Sequence, residues 1–483
     1  MNRLYRILRL VSLFFALILP LQLAACGSGS NTTYTSSKGN FQVVVFSDVH
    51  INPFYDPDQA LFEKLVSADA GGWADIFKTS AVTSLPVWGN DTNYPLFALT
   101  LSNISKNRGA SPLIIFTGDI LGHSFAQKFY AHYYNGQAVP ASPDPAAVAA
   151  MQDFADKTVD FFTKQVRASV GNIPVMFAVG NNDSYADQGP DSTFLANTAK
   201  SYYNNFLKGA VDQQQFLDTF TSGGYYSADL PGTNLRVIGL NTIPFSPSYP
   251  VGDTSSAVAA ELDWLDSRLA SATVSGKKVW LLMHIPPGAN TLATAPTVDG
   301  NGHIAAATMQ WKPEYQTRFL QILANYPGLM ALSLAGHTHM DEYRIMSTSG
   351  VLEITPSISP RNGNNPAFKV FSFSGDTFEP TDYRSLNYDL ATNPEQFDGY
   401  YTFSTAYTVQ GLLNDSLAQL FPVLVTNGSK QGLYRGEYYS GHNSPNSVAD
   451  THFNPITDTN WPVFWCGIGK MGEQEFTNCV NTY

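Results

Sequence analysis

The chain has 483 residues, of which 44% are hydrophobic and 13% aromatic, enough apolar material for a large folded core. Only 14% are charged and the formal net charge is −12, which argues against a broad nucleic-acid surface, because phosphate-backbone binding rests on clustered Lys and Arg. A small phosphate-bearing ligand stays compatible, since bound cations reverse the local field.

Taken in order, the N-terminus reads as a targeting segment. Arg3, Arg6 and Arg9 precede an apolar run at residues 11–21 that is too short for a comfortable membrane span. It closes on Leu23-Ala24-Ala25-Cys26, which resembles a bacterial lipobox with Cys26 as the lipidated first residue of the mature chain. An ordinary signal peptide cut after Ala25 is the alternative. Gly27 behind the cysteine resembles lipoproteins sorted to an outer membrane. The expectation is an exported protein, lipid-anchored at the outer membrane or cell surface of a bacterium. Residues 1–25 are its signal, and residues 26–40, rich in Gly, Ser, Thr and Asn, are a flexible tether.

The first mature strand spans residues 41–46 and leads into Ser47-Asp48-Val49-His50. Asp-x-His at a strand end sets two hard-to-borderline metal ligands side by side. Residues 52–103, rich in Pro, Gly, Asn and Trp, read as extended loop with short helices at the rim of a pocket. The apolar run 113–116 reads as a buried strand that breaks at Gly118 and delivers Asp119, then His123. A carboxylate has two oxygens, so Asp119 can hold two metal ions at once. After a Pro/Ala-rich hinge, Val148, Met151, Phe154, Val159, Phe162 and Val166 recur at helical spacing across residues 145–170.

The strand 174–179 delivers Gly180-Asn181-Asn182-Asp183. A helix at 194–207, the strand 235–241 and a helix at 257–270 follow. Strand 279–283 ends on His284, and a helix at 314–324 precedes strand 330–334, which ends on Gly336-His337-Thr338-His339. Strands at 351–354 and 368–373 complete an alternating α/β pattern. From about Asp382 strand signals weaken and residues 412–424 look helical, so residues 382–483 are expected to be a mainly helical and loop appendage. Cys466 and Cys479, in an exported chain, most simply pair with each other.

A lone histidine at a strand end is more often structural than a ligand. The ordered set Asp48-x-His50, Gly118-Asp119, Gly180-Asn181, His284 and Gly336-His337-x-His339 is different, because five strand ends all carry ligand types. This set resembles the calcineurin-like metallophosphoesterase superfamily from Phe41 to about Phe373. Within it the chain is similar to acid sphingomyelinase-like phosphodiesterases, on Gly118-Asp119-Ile120-x-x-His123, Gly223-Gly224-Tyr225-Tyr226, His284-Ile285-Pro286-Pro287-Gly288 and Gly336-His337-Thr338-His339-Met340-Asp341-Glu342-Tyr343.

The resemblance implies a two-sheet αββα sandwich, with residues 41–381 as the catalytic domain. It implies one metal held by Asp48, His50, Asp119 and His339, and a second held by Asp119, Asn181, His284 and His337. Zinc leads among the candidate metals, with manganese and iron open. Such a pair activates a bridging water and steadies charge during in-line attack on a phosphoester.

The chain departs from the family pattern at Asn182, where most relatives carry a histidine that helps protonate the leaving group. His123 is the expected replacement, with an orienting role as the alternative. Gly-Asn-Asn-Asp also resembles endopolyphosphatases, which keeps a second reading open: a polyphosphatase or nucleotide pyrophosphatase on the same site. A third is a non-catalytic metal-containing binding lipoprotein, for which only Asn182 speaks. The expected substrate is a small phosphoester or phosphoanhydride. The stretch Trp88-Gly89-Asn90-Asp91-Thr92-Asn93-Tyr94-Pro95 resembles one that carries a disulfide cysteine in animal relatives, and none is present here.

Overall fold

The computed structural model describes residues 39–186, 188–249, 252–346, 350–442 and 454–483. The expected signal, Cys26 and nearly all of the tether lie outside them. In chain order the strands are β1 (Phe41–Phe46), β2 (Ile114–Phe116), β3 (Val175–Phe177), β4 (Tyr226–Asp229), β5 (Leu235–Gly239), β6 (Lys278–Leu282), β7 (Met330–Ala335), β8 (Glu342–Ile345), β9 (Val351–Ile354), β10 (Ala367–Phe373), β11 (Pro380–Asn387) and β12 (Asp398–Thr402). They form two six-stranded sheets, ordered β12-β11-β10-β1-β2-β3 and β4-β5-β6-β7-β9-β8. Strands β1, β2 and β3 run parallel, as do β5, β6, β7 and β9. The metal-ligand candidates therefore leave both sheets at carboxyl ends of parallel strands, where open α/β sheets bind ligands.

The sheets face each other. Trp280 of β6 packs on Phe373 of β10 with ring centroids 4.4 Å apart. Deeper in, Lys369 of β10 is fully buried and bridges Glu353 of β9 at 2.9 Å and Asp341 at 2.7 Å. A buried lysine costs several kcal/mol of desolvation unless its charge is answered locally, and two carboxylates answer it here. At the sheet edges Tyr226 Oη accepts from Phe177 N at 2.7 Å and donates to Phe177 O at 3.0 Å. That pair of bonds ties β3 to β4 and gives the Gly-Gly-Tyr-Tyr motif a structural job.

Helices cover the outer faces. The helix Pro145–Val170 has the bounds expected from its apolar spacing, and Phe162 on it packs against Phe116 of β2, centroids 5.1 Å apart. Residues 52–103 hold more helix than the sequence pattern suggests, including Tyr94–Asn107. Its buried face contains Thr100 and Asn103 among Leu96, Phe97, Leu101 and Ile104, so the apolar period is broken. The readable signal was the start: Asn93 caps Leu96 N at 3.1 Å and Pro95 sits in the first turn. The hinge after His123 likewise contains a helix, Phe125–Tyr133.

The boundary expected at Asp382 falls inside β11, which pairs with β10 along its length. Beyond β12 the described chain is helical: Phe403–Tyr407, Leu413–Thr426, Gly428–Tyr438, Trp461–Gly469 and Glu473–Thr482. The last two helices are joined by a Cys466–Cys479 disulfide, Cα–Cα 6.0 Å. The helical region docks through polar contacts, with Asp341 N donating to Tyr438 O at 2.9 Å and Gln316 Nε2 to Met471 O at 2.6 Å. No helix among the described residues is long and apolar enough to cross a membrane.

Candidate metal centre

All seven ligand candidates from the sequence come together. Asp48 and His50 follow β1, Asp119 follows β2, Asn181 follows β3, His284 follows β6, and His337 and His339 follow β7. Five of them adopt positive φ: Asp48 (49°), His50 (47°), Asp119 (65°), His337 (75°) and His339 (70°). Non-glycine residues rarely do so, and each such position costs on the order of 1–3 kcal/mol unless the surroundings impose it. The strained turns at the strand ends bring these side chains within reach of one another. Gly180 allows the closest approach: a Cβ there would collide with Asp119 Oδ1 and Asp119 N.

Lone pairs converge around Asp119. Its Oδ2 lies 3.4 Å from His50 Nε2 and 3.2 Å from His284 Nε2. Asp48 Oδ1 lies 3.7 Å from His50 Nε2 and 3.5 Å from His339 Nε2. The outer ring nitrogens of two histidines are committed elsewhere. His50 Nδ1 donates to Leu121 O at 3.0 Å and His284 Nδ1 to Thr117 O at 2.7 Å. Each imidazole thus turns a bare Nε2 inward, the tautomer a metal ligand needs.

His284 Nε2 then faces the carbonyl oxygen Asn181 Oδ1 at 3.1 Å, while His337 Nδ1 sits 2.8 Å from the same oxygen. His50 Nε2 and His339 Nε2 are 3.0 Å apart, and His339 Nδ1 is buried without a partner among the described residues. Acceptors facing acceptors in a dry pocket are unfavourable unless a positive charge lies between them. The protonation tendencies agree. Burial by itself lowers the pKa of His50 and His284, yet Asp119 and Asp48 outweigh it and raise both to about 9. His337, whose burial is not so compensated, falls to about 4. A site that draws protons onto two buried imidazoles is one a divalent cation fits. Two neighbouring groups have ligand atoms within 4.8 Å of one another, Asp48–Asp119–His284 and His50–His123–His339.

Asn182 does not stand idle. Its backbone N and its Nδ2 donate to the two Asp119 oxygens at 2.8 and 2.9 Å, so it clamps the central carboxylate. Asp183 accepts from Ile120 N, Leu121 N and Gly180 N, which locks the turns after β2 and β3 together. Burial and the neighbouring Asp119 push its pKa up to about 6.

His123 stacks on His50 with centroids 4.2 Å apart and lines the cleft above the centre. Its Nδ1 is 2.7 Å from Asp91 Oδ1, and its backbone N donates to Asp91 Oδ2 at 3.0 Å. Lys128 Nζ reaches the same Oδ2 at 2.8 Å. Burial works against the Asp91 charge, but His123 and Lys128 overcome it and hold the carboxyl well below its usual range. Asp91 is a partner of His123 that sequence pattern alone does not reveal. It lies in an irregular loop with no period to mark it, and only the fold brings it to His123 from 32 positions away.

The calcineurin-like phosphoesterase family profile matches residues 41–341. Sphingomyelinase phosphodiesterase C of Dictyostelium discoideum is 25% identical over 257 residues, covering 49% of this chain and 53% of that protein. Cyclic GMP-AMP phosphodiesterase SMPDL3A of Mus musculus is 25% identical over 353 residues, 68% of this chain and 72% of that protein. The chain thus spans about half the length of the first and under three quarters of the second. A solved dimetal phosphatase from Danio rerio shares 12% identity at a TM-score of 0.39, covering 71% of this chain and 95% of that one.

Proposed function

As the chain belongs to the calcineurin-like phosphoesterase family, we propose that it is a two-metal phosphodiesterase of the acid sphingomyelinase-like type. The observation that carries this is the convergence of inward-facing lone pairs on Asp119 from strand ends of both sheets. Asp48, His50, Asp119 and His339 would hold one divalent cation, and Asp119, Asn181, His284 and His337 the other. Zinc suits these nitrogen and oxygen donors. When bound, such a pair supplies Lewis acidity and a low-pKa water for attack at phosphorus.

The chain's own residues do the rest. Asn182 and Gly180 fix the orientation of Asp119, so the metal-binding oxygens need no rearrangement on binding. Burial and the neighbouring His50 lower the pKa of His123, and Asp91, which holds its Nδ1, offsets part of that fall; a proton on Nε2 is then readily handed to the departing oxygen. The names of the Dictyostelium and mouse relatives support a phosphodiester substrate.

The test is a hydrolysis panel on the full metal-loaded chain, with bis-p-nitrophenyl phosphate, p-nitrophenyl phosphate, sphingomyelin, ATP and polyphosphate. Diesters are expected to turn over at least about tenfold faster than anhydrides. Preferred anhydride cleavage would move the assignment to a polyphosphatase or pyrophosphatase. No turnover with two metals bound would leave a non-catalytic binding lipoprotein.

Export and lipid attachment at Cys26 belong to the same proposal, supported by the basic and apolar leader. Metabolic labelling with a palmitate analogue is expected to mark the wild type and not Cys26→Ser. Equal labelling of both would sink the anchor.

A further inference from the structure

The cleft above the centre has a volume of about 550 Å³. Beyond Asn181, six amide side chains line it: Asn182, Gln188, Asn290, Gln310, Asn362 and Asn454. Among the described residues no Lys or Arg lines it. The stretches 187, 250–251, 347–349 and 443–453 contain none either. Two basic side chains near these elements are engaged: Lys128 with Asp91, and Arg361, whose Nη1 donates to Gly89 O at 2.8 Å.

Gln310 is the telling member. It is only 5% exposed, and its backbone N is used by Gly288 O at 2.9 Å. Its side-chain amide makes no hydrogen bond to any described residue. Its polar atoms are not fully buried but open onto the cleft, where both donor and acceptor are free to meet a ligand. Asn290 spends Oδ1 on the cap of Thr291–Thr294, bonding Ala293 N at 3.0 Å. Its Nδ2 has no partner among the described residues. Leu292 and Pro296 beside it add an apolar wall.

We propose that this cleft selects a singly charged phosphodiester whose organic group is uncharged and rich in hydrogen-bonding hydroxyls or amides, with Gln310 as the specificity-determining side chain. The inference rests on the phosphodiesterase reading and names its substrate class. Two divalent cations less the charges of Asp48 and Asp119 leave a small positive surplus, enough for one phosphodiester. Every additional phosphate would need its own cation, and the cleft offers amides instead. Amides read polar neutral groups by donating and accepting at once.

The experiment reads binding, so it does not depend on turnover. Calorimetry at buffered free-metal concentration, on the full metal-loaded chain, compares three ligands: a dinucleoside phosphorothioate diester, bis-p-nitrophenyl phosphate and inorganic tripolyphosphate. The dinucleoside is expected to bind at least about tenfold tighter than tripolyphosphate. Its advantage over the bis-p-nitrophenyl ester should shrink about tenfold in Gln310→Leu, the loss of one or two hydrogen bonds. Asn362→Ala, on a separate loop, should shrink it in the same direction and guards against a folding defect in the first variant. Tripolyphosphate binding as tight as the dinucleoside, or an advantage untouched in both variants, would overturn the proposal. Selective binding without any hydrolysis would support it while removing the hydrolase reading.

Discussion

Asp119→Ala is expected to empty the centre. Metal content by mass spectrometry should fall from about two ions per chain to fewer than one, and diester hydrolysis should drop by about 10³ or more. The reason is geometric. Asp119 Oδ2 is the oxygen that His50 and His284 both approach within 3.4 Å, so its removal leaves each group of nitrogens without a shared anion. The same substitution also orphans both donors of Asn182. Thermal unfolding of the metal-free proteins separates this from misfolding: the variant should melt within a few degrees of the wild type. A variant that keeps two ions and full turnover would refute the proposed centre.

His123→Ala and Asp91→Asn should act together, and selectively. Each is expected to lower kcat on diesters with alkoxide leaving groups by about 10²–10³. Esters of p-nitrophenol, which depart without help, should lose far less. This split distinguishes proton delivery from a general structural fault. The metal count settles the other role open to His123, which stands close enough to His50 and His339 to share a cation. Two ions retained in His123→Ala fits the acid, and one ion lost makes it a ligand. Asp91 should follow His123 because their 2.7 Å contact is the feature that fixes which ring nitrogen faces the cleft. An Asp91→Asn enzyme with an unchanged leaving-group dependence would argue that the pair is structural only.

Much of this was legible along the chain because it is local. An apolar run of four to six residues makes a buried strand wherever it falls, and the residue just past the run sits at the strand's end. The seven ligand candidates could therefore be named from runs and their terminal residues, and the helix Pro145–Val170 from its spacing. The helix Tyr94–Asn107 was hidden because Thr100 and Asn103 stand in its buried face. Strands β11 and β12 were hidden because their sequences, Pro380–Asn387 and Asp398–Thr402, alternate weakly and mix polar with aromatic residues.

Contacts between distant segments lay beyond any local pattern. That Asn182 clamps Asp119 rather than leaving a catalytic position vacant depends on the turns after β2 and β3 lying side by side. That Asp91 meets His123, and that Gln310 and Asn362 meet in one cleft free of lysine and arginine, depends on loops whose sequences carry no period. The sequence by itself determined the ligand types and the strand ends that bear them, because hydrophobic burial and strand termination are short-range. The tertiary structure alone decided which oxygens and nitrogens face one another, because a hydrogen bond or a ligand set is made between close neighbours in space, at no fixed distance along the chain.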